Sequence, residues 1–211
     1  MKQLYKDLWQ TEKGSHFGMS MKTYVLKTPE ANIVIYYSDN ENEVSQIKKL
    51  GEMDYQFISH HHEFTPAMFK NLNDFETTLY THKKAIPYLK YTIQNMVAFK
   101  ETSELSSSLK IIYTPGHTNN NICLYYKSPF GKNYLFTGDT IYLDNGHWNI
   151  LVMPHDGGSY IKLKESLLEL KKLKVDVVMP SVGVGLFGNK AMEVTQSEWH
   201  KIIDNTLGLI P

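Results

Sequence analysis

Three β-forming runs in this chain each end in a short polar segment carrying imidazoles or a carboxylate, and that pattern constrains the fold most. Tyr55-Gln56-Phe57-Ile58 leads into Ser59-His60-His61-His62-Glu63-Phe64-Thr65. Leu109-Lys110-Ile111-Ile112-Tyr113 leads into Thr114-Pro115-Gly116-His117-Thr118, and Tyr134-Leu135-Phe136 leads into Thr137-Gly138-Asp139-Thr140. Aromatic and β-branched runs bounded by turn residues read as strands. Side chains two apart on a strand share a side, so His60 and His62 are expected to converge on one ion while His61 points away. His117 follows Pro-Gly, a turn that exposes an imidazole at a strand end, and Asp139 follows Gly138 in the same manner. Four potential ligands at three strand ends suit zinc or iron, held by N and O atoms at about 2.0–2.2 Å.

The remaining pattern mixes hairpins with β-helix-β units. Thr23–Lys27 and Ile33–Tyr37 flank a Pro-containing bend and read as a hairpin. Glu41–Leu50 reads as a helix with Val44 and Ile47 on its buried stripe, and a short helix is expected after Pro66. Further strands are expected at Thr77–Tyr80, Met96–Phe99, Leu109–Thr114, Ile122–Lys127 and Asn133–Thr137. Ser159–Leu173 is the clearest helix, with Leu163, Leu167 and Leu170 as its apolar stripe. Val175–Met179 reads as a short central strand, and a last helix spans about Gln196 to Leu207. A helix-covered pair of sheets is the natural architecture.

Composition narrows the function classes. Lys plus Arg and Asp plus Glu are both 22, so the net charge is zero, which argues against nucleic acid or an anionic membrane as partner. The single cysteine, Cys123, lies in an apolar run and reads as buried filler; it excludes an intrachain disulfide. With no apolar leader or membrane-length run, a soluble cytoplasmic protein is expected. Among other candidates, Ser181 lacks a nucleophile elbow. Asn119, Asn120 and Asn121 read as turn residues, and His155-Asp156-Gly157-Gly158 as the loop before the long helix. His16, His82, His147 and His200 read as surface or packing residues.

The order of hairpin, His-x-His, Thr-Pro-Gly-His-Thr, Leu-Phe-Thr-Gly-Asp-Thr, long helix, apolar strand and Pro-Ser-x-Gly resembles the metallo-β-lactamase superfamily, over roughly residues 22–185. The resemblance implies one domain, 1–211, folded as a four-layer αββα sandwich with metal in a cleft between sheet edges. It implies metal ligands at His60, His62 and His117, with Asp139 at the bridging position. Members are mostly hydrolases of β-lactams, thioesters, phosphodiesters or lactones; some are iron-dependent oxygenases. The chain departs from the family's His-x-His-x-Asp-His, carrying Phe64 and Thr65 at its last two positions. It also carries Val182 where the late motif has histidine. The ligands proper to a second metal are therefore missing, along with the carboxylate that orients the nucleophile.

These residues leave three readings. The first is a hydrolase of a small ester, thioester or lactone with one zinc ion, in which Asp139 orients the attacking water and the adjacent Glu63 is a second catalytic candidate. The ordinary alternative for Glu63 is a solvated loop carboxylate. The second is an inactive binding or sensing module that keeps the fold. The third is an Fe(II) sulfur oxygenase using His60, His117 and Asp139 as a two-histidine, one-carboxylate set. A small molecule is the expected partner in each, and a homodimer is compatible with all. β-Lactamase activity is not expected, because such enzymes are secreted and no signal sequence is present.

Overall fold

The computed structural model describes residues 1–12, 15–16 and 19–211, the pair 15–16 by backbone alone. The first sheet has seven strands, ordered Lys2–Tyr5, Leu8–Gln10, Tyr24–Lys27, Asn32–Ile35, Tyr55–Phe57, Thr78–His82 and Met96–Phe99. Its first four strands pair antiparallel and its last four parallel. The parallel part arises because helices α1 (Glu41–Lys48) and α2 (Pro66–Phe75) carry the chain back across one face. The second sheet runs Ser103–Glu104, Leu109–Tyr113, Ile122–Lys127, Asn133–Gly138, Val177–Pro180 and Met192–Glu193. Helix α3 (Tyr160–Lys171) makes its one parallel crossover, and α4 (Gln196–Leu207) closes the chain.

Alternating side chains assign the layers. Leu26, Ile33, Ile35 and Phe57 of the first sheet meet Ile111, Leu124, Phe136 and Met179 of the second in one buried cluster. The opposite face of the second sheet, through Cys123, Leu135 and Val178, packs on Leu163, Leu167, Leu170 and Trp199 of α3 and α4. The outer face of the first sheet packs Val25 and Val34 on Val44 and Ile47 of α1, and Ile58 and Leu79 on Met68 and Leu72 of α2. The result is the expected αββα order. A side-chain cap opens each helix: Asn40, Thr65, Ser159 and Thr195, the last in a capping box with Glu198.

Several expectations shift. The N-terminal strands at Lys2–Tyr5 and Leu8–Gln10 extend the first sheet at its edge, where no strand was expected. Val177–Pro180 is not central; it lies one strand in from the edge, beside the two-residue strand Met192–Glu193. A third, small sheet joins His147–Asn149, Tyr142–Asp144, Val182–Val184, Met19–Met21 and Ser15–His16. Val182, at the family's late histidine position, sits at the start of one of its strands, paired with Met21. Among the described residues, no helix is long and apolar enough to cross a membrane.

Cys123 is fully buried between sheet and helices, and burial pushes its thiol up to about 11. The folded protein is therefore expected to resist thiol-disulfide reagents at pH 8 and to react at once when unfolded in denaturant. Prompt labelling of the native protein would contradict this packing.

Candidate metal centre

The site forms where chain ends of both sheets meet. Ser59–Glu63 follows Tyr55–Phe57, His117 lies in the turn between Leu109–Tyr113 and Ile122–Lys127, and Asp139 and Ser181 follow Asn133–Gly138 and Val177–Pro180. Two backbone links tie these ends together. Ile122 N–H donates to the Ser59 carbonyl at 2.9 Å, and Ser181 N–H to that of Gly138 at 3.3 Å. Tyr36, fully buried, accepts from Gly138 N–H at 2.9 Å and donates to the Met179 carbonyl at 3.2 Å.

His60, His62 and His117 each present a ring nitrogen to a common point, these atoms lying within 4.8 Å of one another. The route differs from strand alternation. The strand ends at Phe57, His60 is extended, and His61–Glu63 is a turn of 3-10 helix. Asp139 Oδ2 lies 3.6 Å from His60 Nε2 and 3.7 Å from His117 Nε2. Its Oδ1 accepts a short hydrogen bond from Ser181 Oγ. Ser181, adjacent to Pro180, thus serves Asp139; the sequence offers only its place in the late motif as a hint.

Each imidazole is held from its far side. His117 Nδ1–H donates to the Leu151 carbonyl at 2.8 Å. Ser59 Oγ donates to Glu63 Oε1 at 2.6 Å and so accepts from His60 Nδ1–H at 2.9 Å. His62 Nε2 lies 2.9 Å from Asp156 Oδ2, which leaves Nδ1 as its nitrogen for the common point. These bonds fix the tautomers that offer lone pairs inward, as outer partners of metal-bound histidines do. His60 Nε2 and His117 Nε2 are buried and have no hydrogen-bond partner. An orphaned buried nitrogen costs about 1–3 kcal/mol, so two of them facing one carboxylate oxygen form a donor set that fits a cation.

Electrostatics point the same way. Burial, reinforced by His117, His62 and His61, holds His60 well below the ordinary histidine value, so the ring is neutral and able to ligate. Burial pushes Glu63 up to about 8, against the Ser59 hydrogen bonds that lower it. Glu63 is only 5% exposed, so it is no solvated loop carboxylate; it stands behind His60 rather than in the open cleft. Burial also pushes Asp156 upward, but His62 and then His61 outweigh it and leave the carboxyl below its ordinary value.

Other candidates resolve into packing roles. Asn121 Nδ2 donates to Thr140 Oγ1 at 2.6 Å and Thr114 Oγ1 at 3.2 Å, binding the two ligand turns together. Phe64 joins the Tyr37, Ile58 and Met68 cluster, and Thr65 caps α2. His82 stacks on Tyr113 at 4.3 Å, His200 bonds Gln196, and His147 is exposed. The side chain of His16 lies outside the described residues.

A four-layer αββα sandwich with clustered histidines and an aspartate at the strand ends defines a fold with a candidate metal-binding cleft. The sequence model described as "Metallo-beta-lactamase superfamily" matches residues 30–182, and the chain belongs to that superfamily. It is similar in fold to the DIM-1 metallo-β-lactamase, with a TM-score of 0.71 at 19% identity over 97% of this chain and 96% of that one. A metallo-β-lactamase from Pontibacter korlensis gives 0.69 at 17% identity, over 99% and 97%. An archaeal superfamily protein from Sulfolobus tokodaii gives 0.68 at 16% identity, over 97% and 86%. A comparison with curated proteins gives no match.

Proposed function

We propose that this protein is a hydrolase of a small ester, thioester or lactone, using a single zinc ion held by His60, His62 and His117 with Asp139 beside it. The observation that carries the reading is the pair of buried, partnerless Nε2 atoms on His60 and His117, both facing Asp139 Oδ2. When bound, a divalent metal supplies Lewis acidity toward a carbonyl oxygen and makes water more acidic. The chain supplies the rest. The imidazoles, fixed in tautomer, keep their lone pairs inward. Asp139 uses Oδ2 to orient the attacking water and accepts its proton as the oxygen adds to the substrate carbonyl. Ser181 keeps that carboxylate from turning by holding Oδ1. Glu63 acts through Ser59 on His60 and does not reach the substrate.

Two of the similar structures are metallo-β-lactamases, yet Phe64 occupies the position of the family's nucleophile-orienting carboxylate. That leaves Asp139 to do the orienting, and one activated water suits acyl substrates without a second metal. The test is elemental analysis of protein purified without chelator, followed by a panel of small esters, thioesters and lactones. About one zinc per chain with turnover on the panel supports the reading. A zinc-loaded protein that turns over no member overturns it and leaves a binding module. Retained iron with oxygen uptake on a thiol or persulfide overturns it in favour of an oxygenase.

A further inference from the structure

Three features converge on one carboxylate outside the ligand set. Asp156 Oδ2 lies 2.9 Å from His62 Nε2, and its Oδ1 lies 3.3 Å from His61 Nε2. His61 is in turn fixed: Asn120 Oδ1 accepts its backbone N–H at 3.0 Å, Asn120 Nδ2 donates to its Nδ1 at 2.8 Å, and Tyr88 stacks on its ring at 3.7 Å. Held this way, His61 sets its Nε2 beside Asp156 Oδ1. His62 is the most exposed of the three histidines facing the common point, 34% against 2% for each of the other two, so packing alone holds it least. The loop that delivers Asp156 also delivers the Leu151 carbonyl to His117, and is itself tied down. Met153 N–H donates to the His117 carbonyl at 2.9 Å, and Asn119 N–H to that of Asp156 at 3.0 Å.

We infer that Asp156 is a positioning residue of the metal centre, aiming His62 Nδ1 at the ion and itself aimed by His61. This inference rests on the metal reading proposed above. The middle histidine of the run, outside the ligand set, thereby gains a role: it orients the carboxylate that orients a ligand. One segment, residues 151–156, then governs two of the three histidines from behind. A carboxylate on the far nitrogen also makes His62 a more basic ligand, which a neutral acceptor does less well.

The experiment measures zinc affinity by competition with a chromophoric chelator, and the visible spectrum of the cobalt-loaded protein. It compares wild type, Asp156→Asn, Asp156→Ala and His61→Ala. Zinc affinity is expected to fall about 10–100-fold in Asp156→Ala, less in Asp156→Asn, and least in His61→Ala. The cobalt bands should shift in the same order while the metal-free Tm stays near wild type. Wild-type affinity and spectrum in Asp156→Ala would overturn the inference and leave the proposed function standing. A wild type that binds two equivalents, with one lost in Asp156→Ala, would overturn it by making Asp156 a ligand. No metal in the wild type would overturn both. Loss of metal-free stability in Asp156→Ala with normal affinity and bands in Asp156→Asn would mark a merely structural residue and also overturn it.

Discussion

His117→Ala is expected to abolish stoichiometric metal binding while leaving the metal-free fold nearly as stable as wild type. The first half follows from ligand count. Removing one of three imidazoles should weaken binding by more than the about 10–100-fold that loss of an outer hydrogen-bond partner costs. The second half follows from burial. The ring is 2% exposed, and its loss forfeits packing and the bond to the Leu151 carbonyl. It also removes a desolvated, partnerless nitrogen whose burial costs about 1–3 kcal/mol, which offsets that loss. Thermal unfolding with and without zinc reads both halves. A ligand at 100 times its Kd adds about 2.7 kcal/mol to stability, so wild type should melt higher with zinc and the variant should not. A zinc-dependent rise that survives in His117→Ala would place the metal elsewhere.

Gly138→Ala is expected to have the opposite profile, damaging fold and site together. Gly138 has φ +52°, in the left-handed region, where a side chain costs about 1–2 kcal/mol. A Cβ there would also collide with Ser59 Oγ and lie 2.5 Å from its Cβ. Ser59 has no room to yield, being fully buried and bonded to Glu63 and His60. Overpacking of this kind costs about 1–3 kcal/mol, so the sum is about 2–5 kcal/mol. Whatever Ser59 does to make room turns the His60 ring, so zinc affinity should fall as well. Denaturant unfolding midpoints and the chelator competition measure the two effects. A variant with wild-type stability would mean that the two chain ends do not pack as described.

Much of this architecture is legible in the chain because the signals are local. The Leu163, Leu167 and Leu170 stripe, the apolar run Ile122–Tyr126 and Pro66 in the first turn of α2 each lie within a few residues of what they specify. The His-x-His spacing points to convergence for a reason that does not apply here, since the residues sit on a 3-10 turn and not on a pleat. A turn and a strand can both bring alternate side chains together, and spacing alone does not separate them. The outer hydrogen bonds are illegible for a different reason. Leu151 is 34 residues from His117 and Asp156 is 94 from His62, so no short pattern joins them. Glu63 misleads in the same way: the histidine run before it is polar, but the fold closes over it. The N-terminal strands escape notice because a three-residue run such as Leu8–Gln10 carries too little periodicity to register.

The surroundings of Phe64, Thr65 and Val182 bear on whether the family's remaining ligand positions could be filled in this chain. Each position has been taken over by a task unrelated to ligation: one packs against Tyr37 and Met68, one caps α2, one pairs in the small sheet. Restoring Asp and His at the first two would strip an aromatic from a hydrophobic cluster and remove a helix cap worth about 1 kcal/mol. The stability lost would come before any second ion could bind, because neither ligand works without the others. The packing of these three side chains therefore opposes installing the family's second ligand set one residue at a time.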